Sequence, residues 1–155
     1  MNVLPTEKRL RVLAALVDGN SERAVERMTE VNRKTVGRFA LTLGRAAENL
    51  HNARVRDLSC SMIQLDEIWS FVKKKQARVD PSKDDPDRVG EAYTFTALDV
   101  SSRLVFSFRV GKRNQETAHA FVSDARSRLV VMPSISSDGF SPYIFEIGYQ
   151  FGPVA

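Results

Sequence analysis

The sequence predicts an α/β protein in two parts. Residues 1–56 read as a three-helix unit in helix-turn-helix order, and residues 61–155 as a mixed sheet with helices. Three observations predict it. Apolar residues recur at helical spacing as far as Leu50, and from Ile63 the pattern changes to runs of strand formers. A polar stretch, His51 to Ser61, separates the two patterns and suits a domain boundary. Charge divides at the same place: up to Arg56 eleven Lys/Arg face six Asp/Glu, whereas the remaining 12 Lys/Arg are matched by 13 acids.

Thr6 is the expected cap of the first helix, with Leu10, Leu13, Ala14 and Val17 on its apolar side and Asp18-Gly19-Asn20 as its stop. Ser21 caps a short second helix, Glu22 to Thr29, that buries Val25 and Met28. After a tight turn Asn32 caps a third helix through "RKTVGRFALTLGRAAENL", whose stripe is Val36, Phe39, Ala40 and Leu43. In a helix-turn-helix this third helix enters the major groove of DNA N-terminus first. Arg33, Lys34 and Thr35 would meet base edges or phosphates, and Arg38 the backbone. A plain three-helix bundle with a wet basic face explains the same residues. Glu30 stands where such turns usually have Gly, and Glu26 where a small residue usually packs. The basic start of helix three also opposes the helix dipole, which a nearby phosphate would relieve.

In the second part, Ile63 to Val72, Ala92 to Val100 and Arg103 to Val110 read as strands, the last two joined at Ser101-Ser102. The segment "KKKQARVDPSKDDPDRVG" between the first two reads as a surface loop. Asn114 caps a helix with Ala118, Phe121, Val122 and Ala125 on one face, and "VVMPSIS" is a fourth strand interrupted by Pro133. Ser141-Pro142 opens a last helix. A crossover through the Asn114 helix can lay the fourth strand parallel to the first, making Asp66 and Asp138 neighbours.

Composition narrows the class. With 43% hydrophobic and 27% charged residues the 155-residue chain suits a globular, cytoplasmic protein with no membrane span. The single cysteine, Cys60, excludes an internal disulfide and a Cys-rich zinc ribbon. Its basic first third suits an anionic partner, DNA among them. His51 and His119 share no metal-ligand spacing. Trp69 reads as core rather than as a base-stacking platform, and Lys73 to Lys75 as a solvated loop base or a DNA contact.

The stretch "MIQLDEIWSF" sets an Asp-Glu pair inside a strand, where burying a carboxylate costs several kcal/mol unless its charge is met. Adjacent strand residues point to opposite faces, so Asp66 and Glu67 cannot both serve one site. Asp66 is favoured, since it follows Ile63 and Leu65 near the strand's middle, and Glu67 is left as a salt-bridging or exposed residue. An all-oxygen pair suits a hard ion, Mg²⁺ or Mn²⁺, and such ions activate an attacking oxygen in phosphodiester chemistry. Plain structural readings stand beside these: Asp138-Gly139 is a common turn pair, and Asp99 before Ser101-Ser102 suits hairpin chemistry.

Together "QLDEIWSFV", "YTFTALDVSSRLVFSFRVGKRNQETAHAFVSDARSRL" and "ISSDGFSPY", with "GNSERAVERMTEVNRKTVGRF" ahead of them, resemble the insertion-sequence-one family of bacterial transposases. The resemblance implies an RNase H-like catalytic domain in which an Asp, Asp, Glu triad holds divalent metal. It also implies cleavage and rejoining of double-stranded DNA at the element's ends and target. On that carry-over Asp66 and Asp138 are the first two catalytic metal ligands, held with Mg²⁺ or Mn²⁺. Two features depart from the pattern. The Cys-rich zinc module of many relatives cannot be built, and the family's third acid, a Glu on a later helix, has no counterpart here. Glu146 lies at the wrong distance from Asp138 for that role. The expectation is a truncated copy, inactive alone, with an apolar sheet face or edge left open. A non-enzymatic DNA-binding repressor is the alternative, and a homo-oligomer is left open.

Overall fold

The computed structural model describes residues 4–152. They divide into two compact units, one ending at Arg54 and the other starting at Val55.

The first unit holds α1 (Thr6–Val17), α2 (Glu22–Thr29) and α3 (Arg33–Arg54). Its core is Val12, Val25, Val31 and Val36, with Leu4, Ala15, Leu16 and Phe39 packed around them. Ser21 caps α2 as expected, its side chain accepting from Ala24 N. Asn32 Oδ1 accepts from Lys34 N at the start of α3. Thr6 does not cap α1. The cap position is Pro5, whose side chain can accept nothing, and the Thr6 hydroxyl accepts from Arg9 instead. The apolar side of α1 is also rotated from expectation: Val12 is buried, while Leu10 and Val17 are exposed. This helix is apolar on more than one side, so spacing alone could not choose which side packs. Leu13, Leu16 and Val17 line a groove of about 480 Å³ with Leu43, Ala47 and Leu50 of α3. Met28 is exposed, because the short α2 buries only Val25 and Thr29.

The second unit holds β1 (Met62–Val72), β2 (Gly90–Asp99), β3 (Val105–Gly111), α4 (Gln115–Ser127), β4 (Ser134–Ser137) and α5 (Ser141–Phe151). The sheet order is β3-β2-β1-β4. Neighbouring β1, β2 and β3 are antiparallel, and β4 pairs parallel to β1 after the α4 crossover. The α/β class and the parallel return strand are therefore as the sequence suggests. β4 is shorter than expected: Val130, Val131 and Met132 are exposed, and the strand begins after Pro133, which has no N–H for a ladder.

One sheet face carries the core. Ile63, Leu65, Phe95, Ala97 and Phe106 pack with Ala118, Phe121, Val122 and Ala125 of α4, and with Phe140 and Tyr143 at the start of α5. Asn114 caps α4 by accepting from Thr117 N. A fully buried Phe contributes about 1.5–3 kcal/mol, which makes Phe95, Phe106 and Phe121 the main contributors to this packing. The other sheet face is open and mixed in character, apolar and polar residues together, rather than the apolar face expected. Ile68, Thr94 and Val110 form one cross-strand row and Asp66, Thr96 and Phe108 the next, and Ile68, Phe108 and Val110 are exposed.

The loop after β1 is built rather than slack. A short 3₁₀ turn spans Gln76–Arg78. Asp84 accepts from Lys74 Nζ and Asp80 N, and Lys112 Nζ donates to the carbonyls of Val89 and Glu91. Among the described residues no helix is long and apolar enough to cross a membrane.

Candidate functional site

β1 carries its acids to the end of the parallel pairing. The last registered pair with β4 is Leu65 with Ser137, and Asp66 and Asp138 are the residues that follow on each strand. Strand alternation then separates the two acids of "DE". Glu67 shares the helix-covered face with Ile63 and Leu65, and its side chain is only 4% exposed. Asp66 is exposed, level with Thr96, and its Oδ1 accepts from Glu67 N at 2.8 Å.

The buried acid of the pair is thus Glu67, and the positive charge beside it is Arg113. Arg113 Nη2 lies 3.4 Å from Asp138 Oδ2 and 3.9 Å from Glu67 Oε2. Its guanidinium also stacks over the Phe140 ring at 3.9 Å from the centroid. Asp138 has a turn role as well, since its Oδ1 accepts from Phe140 N just before α5. The sequence reading missed Arg113 and undervalued Glu67. Parity with Ile63 and Leu65 was the signal for Glu67. Arg113 had none, because only the chain reversal after β3 brings it to β1.

Burial pushes the Glu67 carboxyl up from its ordinary value, the Asp138 charge pushes it further, and Arg113 pulls it back. Asp66 adds a smaller upward push. Tyr143 is raised too, first by burial and then by the Glu67 charge. Its hydroxyl lies close to that carboxylate without the geometry of a formed hydrogen bond, so the hydroxyl and Glu67 Oε1 are both buried without a partner. Asp66 and Asp138 are not bonded to one another; the charges of both raise Glu67 and Tyr143.

Two carboxylates, Glu67 and Asp138, therefore meet one guanidinium, and the charge of Asp66 on the other face adds to theirs, an arrangement short of positive charge. The donors are all oxygen, which fits Mg²⁺ or Mn²⁺. The number is small: among the described residues no group of three or more His, Cys, Asp or Glu could hold a metal ion. Asp66 and Asp138 would supply two carboxylates, and Mg²⁺ commonly keeps several waters beside one or two such ligands. Glu146 adds nothing, being buried with its oxygens engaged by Gln115 Nε2 and His119 Nδ1.

In the first unit Arg33, Lys34 and Arg38 are exposed on the first two turns of α3, with Thr35 partly exposed between them. Among the described residues none of the three basic side chains makes an ion pair. The helix dipole is not left to an outside anion. Glu26 Oε1 accepts from Arg33 N at 2.8 Å, setting a carboxylate at the positive end of α3. That explains an acid where a small residue was expected. Glu30 takes the left-handed conformation, φ 57°, at the end of α2.

No protein-family model matches the chain, and no match emerges among curated proteins.

Proposed function

We propose that this is a DNA-binding protein of the transposase type. Its first unit acts as a helix-turn-helix that grips duplex DNA, and its second is an RNase H-like domain with a two-carboxylate metal site. The observation that supports it best is the meeting of Glu67 and Asp138 on the single guanidinium of Arg113, with Asp66 and Asp138 following directly where the parallel pairing of β1 and β4 ends. Ligand sites in open α/β sheets favour such ends. Arg33, Lys34, Thr35 and Arg38 provide the matching duplex contact, with Arg38 on the backbone.

In this reading Asp66 and Asp138 hold Mg²⁺ or Mn²⁺. When bound, that ion supplies Lewis-acid stabilisation of the oxygens at a scissile phosphodiester. The chain's own residues do the rest. Glu67 and Tyr143 stay behind the pair in the covered face, where Glu67 holds Arg113 in reach of Asp138. Arg113, anchored on Phe140, is free to turn from Asp138 toward an incoming phosphate.

One observation favours a second reading, a DNA binder without catalysis. Arg113 already neutralises Asp138, and no third acid joins the pair among the described residues. Mn²⁺ titration followed by electron paramagnetic resonance separates the two. The metal reading expects binding that weakens by about tenfold or more in Asp66→Ala and Asp138→Ala. Binding unchanged in both variants rejects it and leaves the second reading. Duplex affinity, measured in parallel, should fall with salt, with Arg33→Ala and Arg38→Ala each lowering the salt slope by about one.

A further inference from the structure

The odd-numbered side chains of β1 form one continuous row. Ile63 and Leu65 are fully buried and Glu67 nearly so, yet Trp69 and Phe71 beyond them are 47% and 45% exposed. Trp69 is therefore not the core residue its sequence context suggests. The row leaves the cover of the helices and stays aromatic. Its two rings lie 5.8 Å apart, tilted by 44°, as neighbours on one side of β1.

A lysine without an ion pair stands against these rings, and more such charge lies in the same loop. Lys75 Nζ lies over the Trp69 ring at 5.9 Å. In the same loop Lys74, Lys83 and Arg88 are paired with Asp84, Asp80 and Asp85. Lys73 and Lys75, just past the end of β1, and Arg78, in the 3₁₀ turn, make no ion pair among the described residues. On the other side Tyr93 is the register partner of Trp69, and the Arg113 guanidinium lies 6.0 Å from the Tyr93 ring. Rings and cations thus run from Phe71 to the carboxylate cluster. At about 3.3 Å of rise per residue, Trp69 is only about 7 Å along the strand from Glu67.

We infer that Trp69 and Phe71 are a stacking platform for unpaired bases of a DNA strand, with Lys73, Lys75 and Arg78 receiving its phosphates. This deepens the proposed function and rests on it, naming the form of DNA that the second unit takes. Exposed aromatic rings with a cation beside them match a ligand that carries both flat bases and negative charge. Bases inside a duplex have both faces covered by their neighbours, so the ligand is a single strand or a frayed end. An apolar protein segment would gain nothing from three unpaired cations.

Trp69 is the sole tryptophan of the chain, so its fluorescence reports on this position alone. The experiment titrates the full chain, with EDTA present, with oligothymidylate of about eight nucleotides and with an abasic oligonucleotide of the same length. The expected result is saturable quenching by oligothymidylate and little by the abasic strand. Phe71→Ala and Lys75→Ala should each weaken binding by about tenfold. Labelled-strand anisotropy should show Trp69→Ala weakened similarly and Trp69→Phe largely restored, which a mere folding defect would not give. No quenching, or equal affinity for the abasic strand, overturns the platform. If duplex binding through Arg33 and Arg38 persists in that case, only the platform falls. Loss of both removes the DNA reading with it.

Discussion

Asp99 illustrates how a single side chain ties a turn. Its Oδ2 accepts from the hydroxyls of Ser101 and Ser102 and from Ser102 N, closing the reversal between β2 and β3. These bonds, the Ser102 hydroxyl foremost, draw its carboxyl down from 3.8 to about 2. A carboxyl whose folded value lies below its unfolded one stabilises the fold above its unfolded value, and that stability is lost as pH falls through the folded value. Asp99→Asn should therefore melt lower than the parent at neutral pH, with the gap narrowing below pH 3.8 and closing near pH 2. Thermal melts across that range check it. A gap that persisted at the acid end would mean that packing, not charge, carries the Asp99 contribution. This role was legible because Asp followed two residues later by Ser-Ser is a local pattern.

Caps follow the same logic for whole elements. Ser21, Asn32 and Asn114 accept the amide protons expected of them because the bond closes within three residues and needs no tertiary partner. Glu30 differs. It ends α2 in the left-handed region, where a side chain costs about 1–2 kcal/mol relative to Gly. Glu30→Gly should then raise the stability of the helical unit by about 1 kcal/mol, after the greater freedom of unfolded Gly is subtracted. Urea unfolding followed by helical circular dichroism is the check. A loss of stability would show that the Glu30 side chain makes a contribution that its backbone conformation hides. Which side of α1 packs was beyond such local rules, since it depends on the shape α2 and α3 offer to Val12.

Across the molecule, stability resides in two separate apolar clusters of different make. The helical unit closes on four valines, whereas the sheet unit gathers aromatic rings around Phe95. Phe95 lies within 5.6–6.4 Å of the rings of Phe121, Phe140 and Tyr143, so it joins β2 to both helices. Phe95→Ala should cost the sheet unit about 3–5 kcal/mol. Denaturant unfolding read by Trp69 fluorescence measures it, and a cost under about 1 kcal/mol would mean that the rings repack around the gap. The charge split acts at this scale too. Because the excess of Lys/Arg belongs to the helical unit, long-range attraction of an anionic partner is a property of that unit.

The sequence by itself determined the two-part plan, the strand and helix order, the α4 core face and the caps of α2, α3 and α4, though not that of α1. Each depends on periodicity or on bonds between near neighbours. Only the tertiary structure decided what Asp66, Glu67 and Asp138 face. Alternation separates Asp66 from Glu67, but Arg113 reaches Glu67 and Asp138 only through the folding of β3, α4 and β4 around β1. It likewise decided that Trp69 lies in the open. A strand's hydrophobic run says which residues can be buried, while the extent of the helices laid over it says where burial stops. Here that cover ends at Glu67, two residues before the indole.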